Sequence, residues 1–140
     1  MMNGIASEFA EPVNGPQSTR LHEVYQLPEQ KFWVALDGEK VVGTVGLVLL
    51  PCHNAVLKRM MTDRAYRGRS TGLATRLLQT ALSWGHEHGV RTVYLGTMGQ
   101  FVAAQRFYTR HGFVLTPENA LPSTMPVNPI DSLHYRLDLP

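Results

Sequence analysis

The sequence predicts an α/β fold in which helices flank a mixed, mostly antiparallel sheet. The first half of the chain holds Val- and Leu-rich runs separated by turn residues, which is typical of an antiparallel meander. From residue 71 onward, segments with apolar residues at helical spacing alternate with short β-type runs. These two patterns predict the order β-β-β-α-β-α-β-β within a single domain of 140 residues.

Three strands are predicted in the first half of the chain. Lys31–Leu36 and Lys40–Leu50 form a hairpin, because the Asp-Gly pair between them is a strong turn signal. The two glycines in the second run indicate a bend or a close backbone approach. A turn at Pro51–Asn54 leads into the third strand, Ala55–Thr62. The first 30 residues are expected to be weakly structured, with one short helical turn around Arg20–Tyr25, since prolines interrupt longer elements.

Two helices are predicted further along the chain. Apolar residues at helical spacing start the first helix near Thr71, and Gly89 follows where a left-handed C-terminal residue belongs. The second helix covers Phe101 to His111 and ends at Gly112. The remaining segments predict strands at 92–95, 113–116 and 133–139, and a proline-rich loop at 117–129.

Composition excludes several classes of protein. A single cysteine, Cys52, excludes a disulfide framework and a Cys-rich zinc site, and the six histidines have no metal-binding spacing. The longest apolar run, Val41–Pro51, is too short to span a membrane. Met1–Glu11 has neither the basic nor the apolar part of a signal peptide. We therefore expect a cytoplasmic protein with no metal and no membrane partner.

A basic segment carries the clearest chemical signal. Five cations and one acid lie between Lys58 and Arg69. Such a charge pattern suits a phosphorylated cofactor or a nucleic acid, or else marks a solvated loop. A nucleic-acid partner is disfavoured, because the net charge is only +2 and aromatic residues are not interleaved with the cations.

The order of elements around this segment is suited to holding a phosphate. A strand, a basic loop and a helix start follow one another, so backbone N–H groups and the positive end of the helix dipole converge. Gly68 and Gly72 let the backbone approach a ligand, while Ser70 and Thr71 add hydroxyl donors. The loop lacks the Gly-Lys-Ser/Thr of a Walker motif. The alternative is a capped helix whose glycines serve packing.

Three motifs, in the right order and spacing, resemble one family. Arg67-Gly-Arg-Ser-Thr-Gly72 is similar to the acyl-CoA pyrophosphate loop, Q/R-x-x-G-x-G/A, of the GCN5-related N-acetyltransferase (GNAT) family, with Ser70 in place of the middle glycine. Leu57-Lys-Arg-Met-Met resembles the family's fourth strand. Residues 104–113, Ala-Gln-Arg-Phe-Tyr-Thr-Arg-His-Gly-Phe, resemble its A-x-x-F-Y-x-x-x-G-F signature. The similarity covers about residues 31–138.

The resemblance implies an N-acetyltransferase that uses acetyl-CoA as cosubstrate. The backbone of Met60, Met61 and Thr62 would pair with the pantetheine arm. The pyrophosphate would be held by the loop residues Arg67, Gly68, Arg69, Ser70, Thr71 and Gly72. A primary amine, on a small molecule or a peptide, would attack the thioester directly, so Cys52 is not needed as a nucleophile.

Tyr108 matches the family's general acid, which protonates the leaving thiolate. A phenol with a pKa of ~10 is a reasonable proton donor for this step. The alternative is that Tyr108 is one more aromatic residue on the apolar face of its helix, beside Phe107.

No general base is assigned from the sequence. Val56 replaces the glutamate that many relatives carry on the fourth strand, and Phe101 replaces an asparagine seven residues before the tyrosine. A relay of water remains open, as do four side chains: His53, Glu118, Asp131 and His134.

Two further expectations concern what lies outside the motifs. The missing glutamate keeps a second interpretation open, a non-catalytic acyl-CoA-binding regulatory module.

The segment before the first predicted strand is shorter than in relatives, where it forms one wall of the acceptor site. We therefore expect a homodimer, in which a second subunit covers the exposed edge or apolar surface.

Overall fold

Seven strands and two α-helices make up the regular structure of residues 20–27, 29–67 and 72–140, which the computed structural model describes. The strands are β1 Arg20–Leu27, β2 Gln30–Asp37, β3 Lys40–Leu50, β4 Asn54–Thr62, β5 Thr92–Thr97, β6 Val114–Thr116 and β7 Leu133–Asp138. The helices are α1 Leu73–Glu87 and α2 Val102–Arg110, and single 3-10 turns lie at Arg64–Tyr66 and Glu118–Ala120.

The strands form one sheet in the order β1-β2-β3-β4-β5-β7-β6. Neighbours β1–β2, β2–β3, β5–β7 and β6–β7 are antiparallel, and β4–β5 is parallel. The predicted fold class, a mixed and mostly antiparallel sheet with flanking helices, is confirmed.

Two compact units divide the described chain. The first takes the residues up to Val48 together with Leu57–Gly85, and the second takes Leu49–Val56 together with His86–Pro140. Strand β4 therefore contributes its first residues to the second unit and the rest to the first. The single domain expected from the chain length stays a prediction.

In the first unit, α1 packs closely against β3. Gly43 makes this approach possible, because a β-carbon added there would lie 2.8 Å from Cδ1 of Leu77 and 3.2 Å from the carbonyl oxygen of Met61. Leu73 and Leu77 are fully buried at this contact. The close backbone approach, one of two interpretations of the β3 glycines, is confirmed at Gly43.

A buried lysine lies beside two tryptophans in the same unit. Nζ of Lys31 is 3.0 Å from Oε1 of Glu23, and it lies 5.9 and 5.8 Å from the ring centres of Trp33 and Trp84. The two indole rings meet edge to face with their centroids 6.0 Å apart. The lysine charge is therefore paired and stacked, which a buried cation requires.

The second unit is built around β5 and β7. Asn54–Val56 pair in parallel with the first three residues of β5, and β7 lies between β5 and β6. The ring of Tyr108 on α2 lies 5.6 Å from the ring of Phe113 and 6.3 Å from that of Tyr135. Tyr135 belongs to β7, so α2 covers the face of the sheet to which this tyrosine points.

One predicted element is wrong. Arg20–Leu27 is strand β1 and not a helical turn in a weakly structured segment, because it pairs antiparallel with β2 along its length. The register shifts between Glu23 and Tyr25. This bulge breaks the alternation of apolar and polar residues by which a strand is recognised. Residues 1–19 and Pro28 lie outside the described residues.

The other predicted elements are confirmed with small changes at their ends. The hairpin forms, with Asp37 paired to Lys40 across a two-residue turn. Gly89 and Gly112 follow the two helices with φ of 83° and 95°, the left-handed conformation of a C-terminal glycine. Within the described part of the chain, no helix combines the length and the apolar character needed to cross a bilayer.

Substitution Gly43→Ala is expected to lower the free energy of unfolding by about 1–3 kcal/mol, because the new methyl group must displace Leu77 or the neighbouring backbone. Urea denaturation measures this change. In a Leu77→Ala background the same methyl group enters vacated space, so its cost should be smaller. An equal cost in the two backgrounds would contradict the contact.

Candidate functional site

Strand β4 changes its backbone shortly before the basic loop. Arg59 has a φ of 54°, in the left-handed region that non-glycine residues rarely adopt. Its carbonyl oxygen accepts a hydrogen bond of 2.6 Å from Oγ1 of Thr44. The ladder with β5 comprises Asn54–Val56, so Met60–Thr62 lie beyond it. Nothing in the amino-acid pattern marks Arg59 as left-handed.

The residues that lead into the loop are anchored by side chains that the sequence analysis did not single out. Oδ1 of Asp63 accepts a hydrogen bond of 3.1 Å from the backbone N–H of Ala65, and this bond is the main cause that lowers the pKa of Asp63. The hydroxyl of Tyr66 donates to Oδ2 of Asp37, which raises the pKa of Tyr66. In the sequence, the position of Asp63 directly before the turn at Arg64–Tyr66 was the one signal for this anchoring, because Asp often accepts a hydrogen bond from the backbone at the start of a turn.

The positive field predicted for this segment is present in its described part. Arg67 is exposed, and its Nε donates to the carbonyl oxygen of Thr62 at 3.1 Å. Asp63, the acid of the segment, is 3.6 Å from Nζ of Lys40. The other described cations of the segment are exposed as well: Lys58, Arg59 and Arg64. Gly68, Arg69, Ser70 and Thr71 lie outside the described residues.

Helix α1 begins directly after a left-handed glycine. Gly72 has a φ of 65°, and among the described residues a β-carbon there would meet no atom within 4 Å. Its carbonyl oxygen accepts a hydrogen bond of 3.0 Å from the N–H of Arg76. The first turn of α1 carries no acidic side chain, so the partial positive charge at this helix end is not offset from within the turn.

Tyr108 is a buried aromatic residue of α2. It is 7% exposed, and its ring lies against Phe107, Phe113 and Tyr135. Burial raises the pKa of its phenol to about 12, because the phenolate is poorly solvated there. The hydroxyl therefore keeps its proton at neutral pH and can act as a hydrogen-bond donor.

The four side chains considered as general bases lie in two different places in the structure. Glu118 and His134 line one groove of the second unit, and the Asp131 carboxylate lies over Gly96, the cross-strand partner of His134. His53 lies at the β3–β4 turn, where its Nδ1 is 3.0 Å from the Gly89 carbonyl oxygen.

The two positions at which the family resemblance predicts a glutamate and an asparagine offer no base. Val56 packs in an apolar cluster with Tyr94 and Met125. Phe101 precedes α2 and is 49% exposed. Cys52 is exposed in the turn between β3 and β4, with a φ of 65°.

Comparison with known proteins identifies the family to which this arrangement is similar. The Acetyltransferase (GNAT) family matches residues 2–113. N-acetyltransferase 8B of Homo sapiens is 30% identical over 116 residues, which cover 78% of this chain and 49% of that protein. The chain thus spans about half the length of this curated relative.

Solved structures agree in fold. A GNAT-family acetyltransferase from Staphylococcus aureus Mu50 superposes with a TM-score of 0.75 at 32% identity, covering 79% of this chain and 69% of that one. A GNAT-family acetyltransferase from Elizabethkingia anophelis with acetyl-CoA bound has a TM-score of 0.65 at 12% identity, covering 86% of this chain and 98% of that one.

Because the pKa of Tyr108 is raised, the free energy of unfolding is expected to fall at alkaline pH. Above pH ~10 the unfolded phenol releases its proton while the folded one keeps it, so the free energy of unfolding falls as pH rises towards the folded pKa. Relative to Tyr108→Phe, the wild-type chain should lose about 1.4 kcal/mol by pH 11, measured by urea denaturation. A constant difference between the two proteins from about pH 8 to 11 would contradict the shift.

Proposed function

Because the chain belongs to the GNAT acetyltransferase family, we propose that it transfers an acetyl group from acetyl-CoA to a primary amine. The observation that carries this proposal is the start of α1. There a left-handed Gly72, with no described atom within 4 Å of an added β-carbon, stands at the helix start beyond an anchored basic segment. A helix start whose first turn carries no acid favours a phosphate, because the partial positive charge of the helix dipole lies there.

We assign the cofactor roles by position along the chain. The segment Arg67–Gly72 binds the pyrophosphate of acetyl-CoA, supported by the exposed cations before it. The backbone of Met60–Thr62 pairs with the amides of the pantetheine arm. This second role is supported by the pairing of β4 with β5, which in the described residues comprises Asn54–Val56, because the edge of β4 beyond that ladder has backbone groups that do not pair with β5.

The chemistry is a direct attack of the neutral amine on the thioester carbonyl. A carbon–nitrogen bond forms, the carbon–sulfur bond breaks, and the proton of the attacking amine passes to solvent. Tyr108 donates its hydroxyl proton towards the sulfur as negative charge develops there. A phenol with a pKa near 12 is a weaker acid than a thiol, so its main contribution is the hydrogen bond that stabilises the departing thiolate.

A second candidate function has one observation in its favour. Val56 stands where relatives carry a glutamate, and it is buried in an apolar cluster. A chain with this arrangement suits an acyl-CoA-binding regulatory module that performs no transfer. Release of free thiol over a panel of amines separates the two functions, because only the enzyme consumes acetyl-CoA. The homodimer, the cytoplasmic location and the absence of metal, membrane and nucleic-acid partners stay predictions.

Substitution Gly72→Glu is expected to abolish CoA binding, since a carboxylate at the helix start repels the pyrophosphate. Isothermal calorimetry with CoA measures the effect. Gly38→Glu is the matched control: Gly38 has a φ of 63° and, like Gly72, no atom within 4 Å of an added β-carbon. The two variants share the backbone strain, and only the first should lose CoA. If a folded Gly72→Glu protein kept its affinity for CoA, the loop would be excluded as the pyrophosphate-binding site.

Substitution Tyr108→Phe is expected to lower kcat about 10²–10⁴-fold and to leave the acetyl-CoA affinity nearly unchanged. The ring and its packing are kept, and only the donor to the sulfur is lost. A thioester with a more acidic leaving thiol should partly restore the rate, because that thiolate needs less stabilisation. Tyr135→Phe, in the same aromatic cluster, is the control and should keep its turnover. Equal rates for wild type and Tyr108→Phe would remove this residue from the mechanism.

A further inference from the structure

The second unit contains a groove to which the proposed cofactor roles assign nothing. It has a volume of about 360 Å³ and lies where the end of β6 meets the start of β7, lined by Thr116, Glu118, Ser132 and His134 among others. This volume is in the range of small-molecule pockets. The groove therefore suits a short organic molecule or one end of a longer one.

One imidazole in this groove is buried and unsatisfied. His134 is 4% exposed, and its Nε2 has no hydrogen-bond partner within the described part of the chain. Leaving a buried polar atom unpaired is destabilising, so the missing partner calls for an explanation. With the proton on Nδ1, Nε2 is an acceptor, and a ligand that brings an N–H group into the groove satisfies it.

A carboxylate lies beside this histidine. Gly96 pairs directly with His134 across the β5–β7 ladder, so the two residues share one face of the sheet. A β-carbon built on Gly96 would collide with the carboxylate of Asp131. The absence of a side chain at Gly96 thus makes room for Asp131 next to the imidazole.

The charges around the groove are negative. Glu118 lines it, and Asp131 lies next to it. Arg136, two residues after His134 on β7, is already engaged: its Nη2 is 2.6 Å from Oδ1 of Asp138, and its guanidinium lies 5.8 Å from the ring centre of Tyr94. Two carboxylates, with the charge of Arg136 already paired to Asp138, favour a positively charged ligand.

The side chain of His134 and the ring of Tyr108 lie on opposite faces of β7. Tyr135 contacts the ring of Tyr108, and successive residues of a strand point to opposite faces. His134 therefore points away from α2.

We propose that this groove recognises the cationic part of the acceptor, which makes alkyl diamines and polyamines the substrate class. This proposal rests on the proposed acetyl transfer. Glu118 and Asp131 attract the ammonium group that does not react, and Nε2 of His134 accepts a hydrogen bond from it. The other amino group of the acceptor stays outside the groove as the nucleophile.

Three acceptors of equal length test the proposal in a thiol-release assay: 1,4-diaminobutane, butylamine and 4-aminobutanoate. The expected order of kcat/KM is the diamine first, butylamine second and the carboxylate last. Substitution Glu118→Gln should reduce the preference for the diamine over butylamine about tenfold, the worth of a charged hydrogen bond. It should leave the acetyl-CoA affinity unchanged. Equal kcat/KM values for the three amines would overturn the proposal.

Matched variants separate the groove from general surface charge. Glu39→Gln removes an exposed carboxylate in the β2–β3 turn and should leave the preference intact. Asp131→Asn should behave like Glu118→Gln. His134→Gln tests the imidazole, and since its burial can affect folding, the exposed Glu118 provides the variant that keeps the fold. A loss of preference equal in Glu39→Gln and Glu118→Gln would also overturn the proposal.

Direct binding distinguishes failure of the groove from failure of the proposed function. Calorimetric titration of the CoA-saturated chain with 1,4-diaminobutane should give binding that Glu118→Gln weakens about tenfold. The diamine should also shift the side-chain ¹⁵N resonances of His134. If diamine binding follows this pattern and no amine releases thiol, the groove stands as a diamine-binding site and the proposed acetyl transfer is rejected. If wild type and Glu118→Gln bind the diamine equally, the groove is rejected whatever the activity.

Discussion

Strand β4 is the element on which the rest of the structure depends, because it supplies residues to both compact units. Its first residues are fixed by the ladder with β5. At Arg59 the backbone enters the left-handed region, and Thr44 holds the Arg59 carbonyl from the side of β3. After this residue, Met60–Thr62 lie beyond the ladder with β5, and the chain continues into the anchored basic segment.

The architecture was predictable wherever a local signal decides the structure. The Asp-Gly pair, the helical spacing after Thr71 and the glycines Gly89 and Gly112 each act through their own backbone preferences, so their elements were found. β1 was missed because a bulge between Glu23 and Tyr25 breaks its alternation. Its identity as a strand depends on the pairing with β2, which no local pattern encodes.

The candidate site was predictable only in part, for a related reason. The motif around Gly72 is contiguous, so its position at the start of α1 follows from the sequence. The groove is assembled by register: Thr116 and His134 are paired across β6 and β7, and Gly96 is paired with His134 from the other side. Residues so far apart in sequence become neighbours through the sheet alone. The sequence could name Glu118, Asp131 and His134 as candidates but could not select them over His53.

Three polar side chains are buried in this protein in three different ways. Lys31 pairs with Glu23 and lies beside two indole rings. Tyr108 stays neutral, since burial opposes its phenolate. His134 has an unsatisfied Nε2 within the described residues. The first arrangement is complete within the protein, whereas the other two leave hydrogen-bonding capacity for another molecule. Burial alone thus does not identify a functional group, and the state of its partners does.

The exposed thiol of Cys52 has a practical consequence for assays of this chain. The sequence contains one cysteine, and it lies exposed in a tight turn. A disulfide reagent that reports liberated CoA also reacts with this thiol, so each trace should begin with a step of one equivalent per chain. The amplitude of that step reports the concentration of the protein, and it must be subtracted from the signal that released CoA produces. Because the residue has a φ of 65°, glycine fits the same backbone, and Cys52→Gly provides a thiol-free chain for an unobstructed baseline.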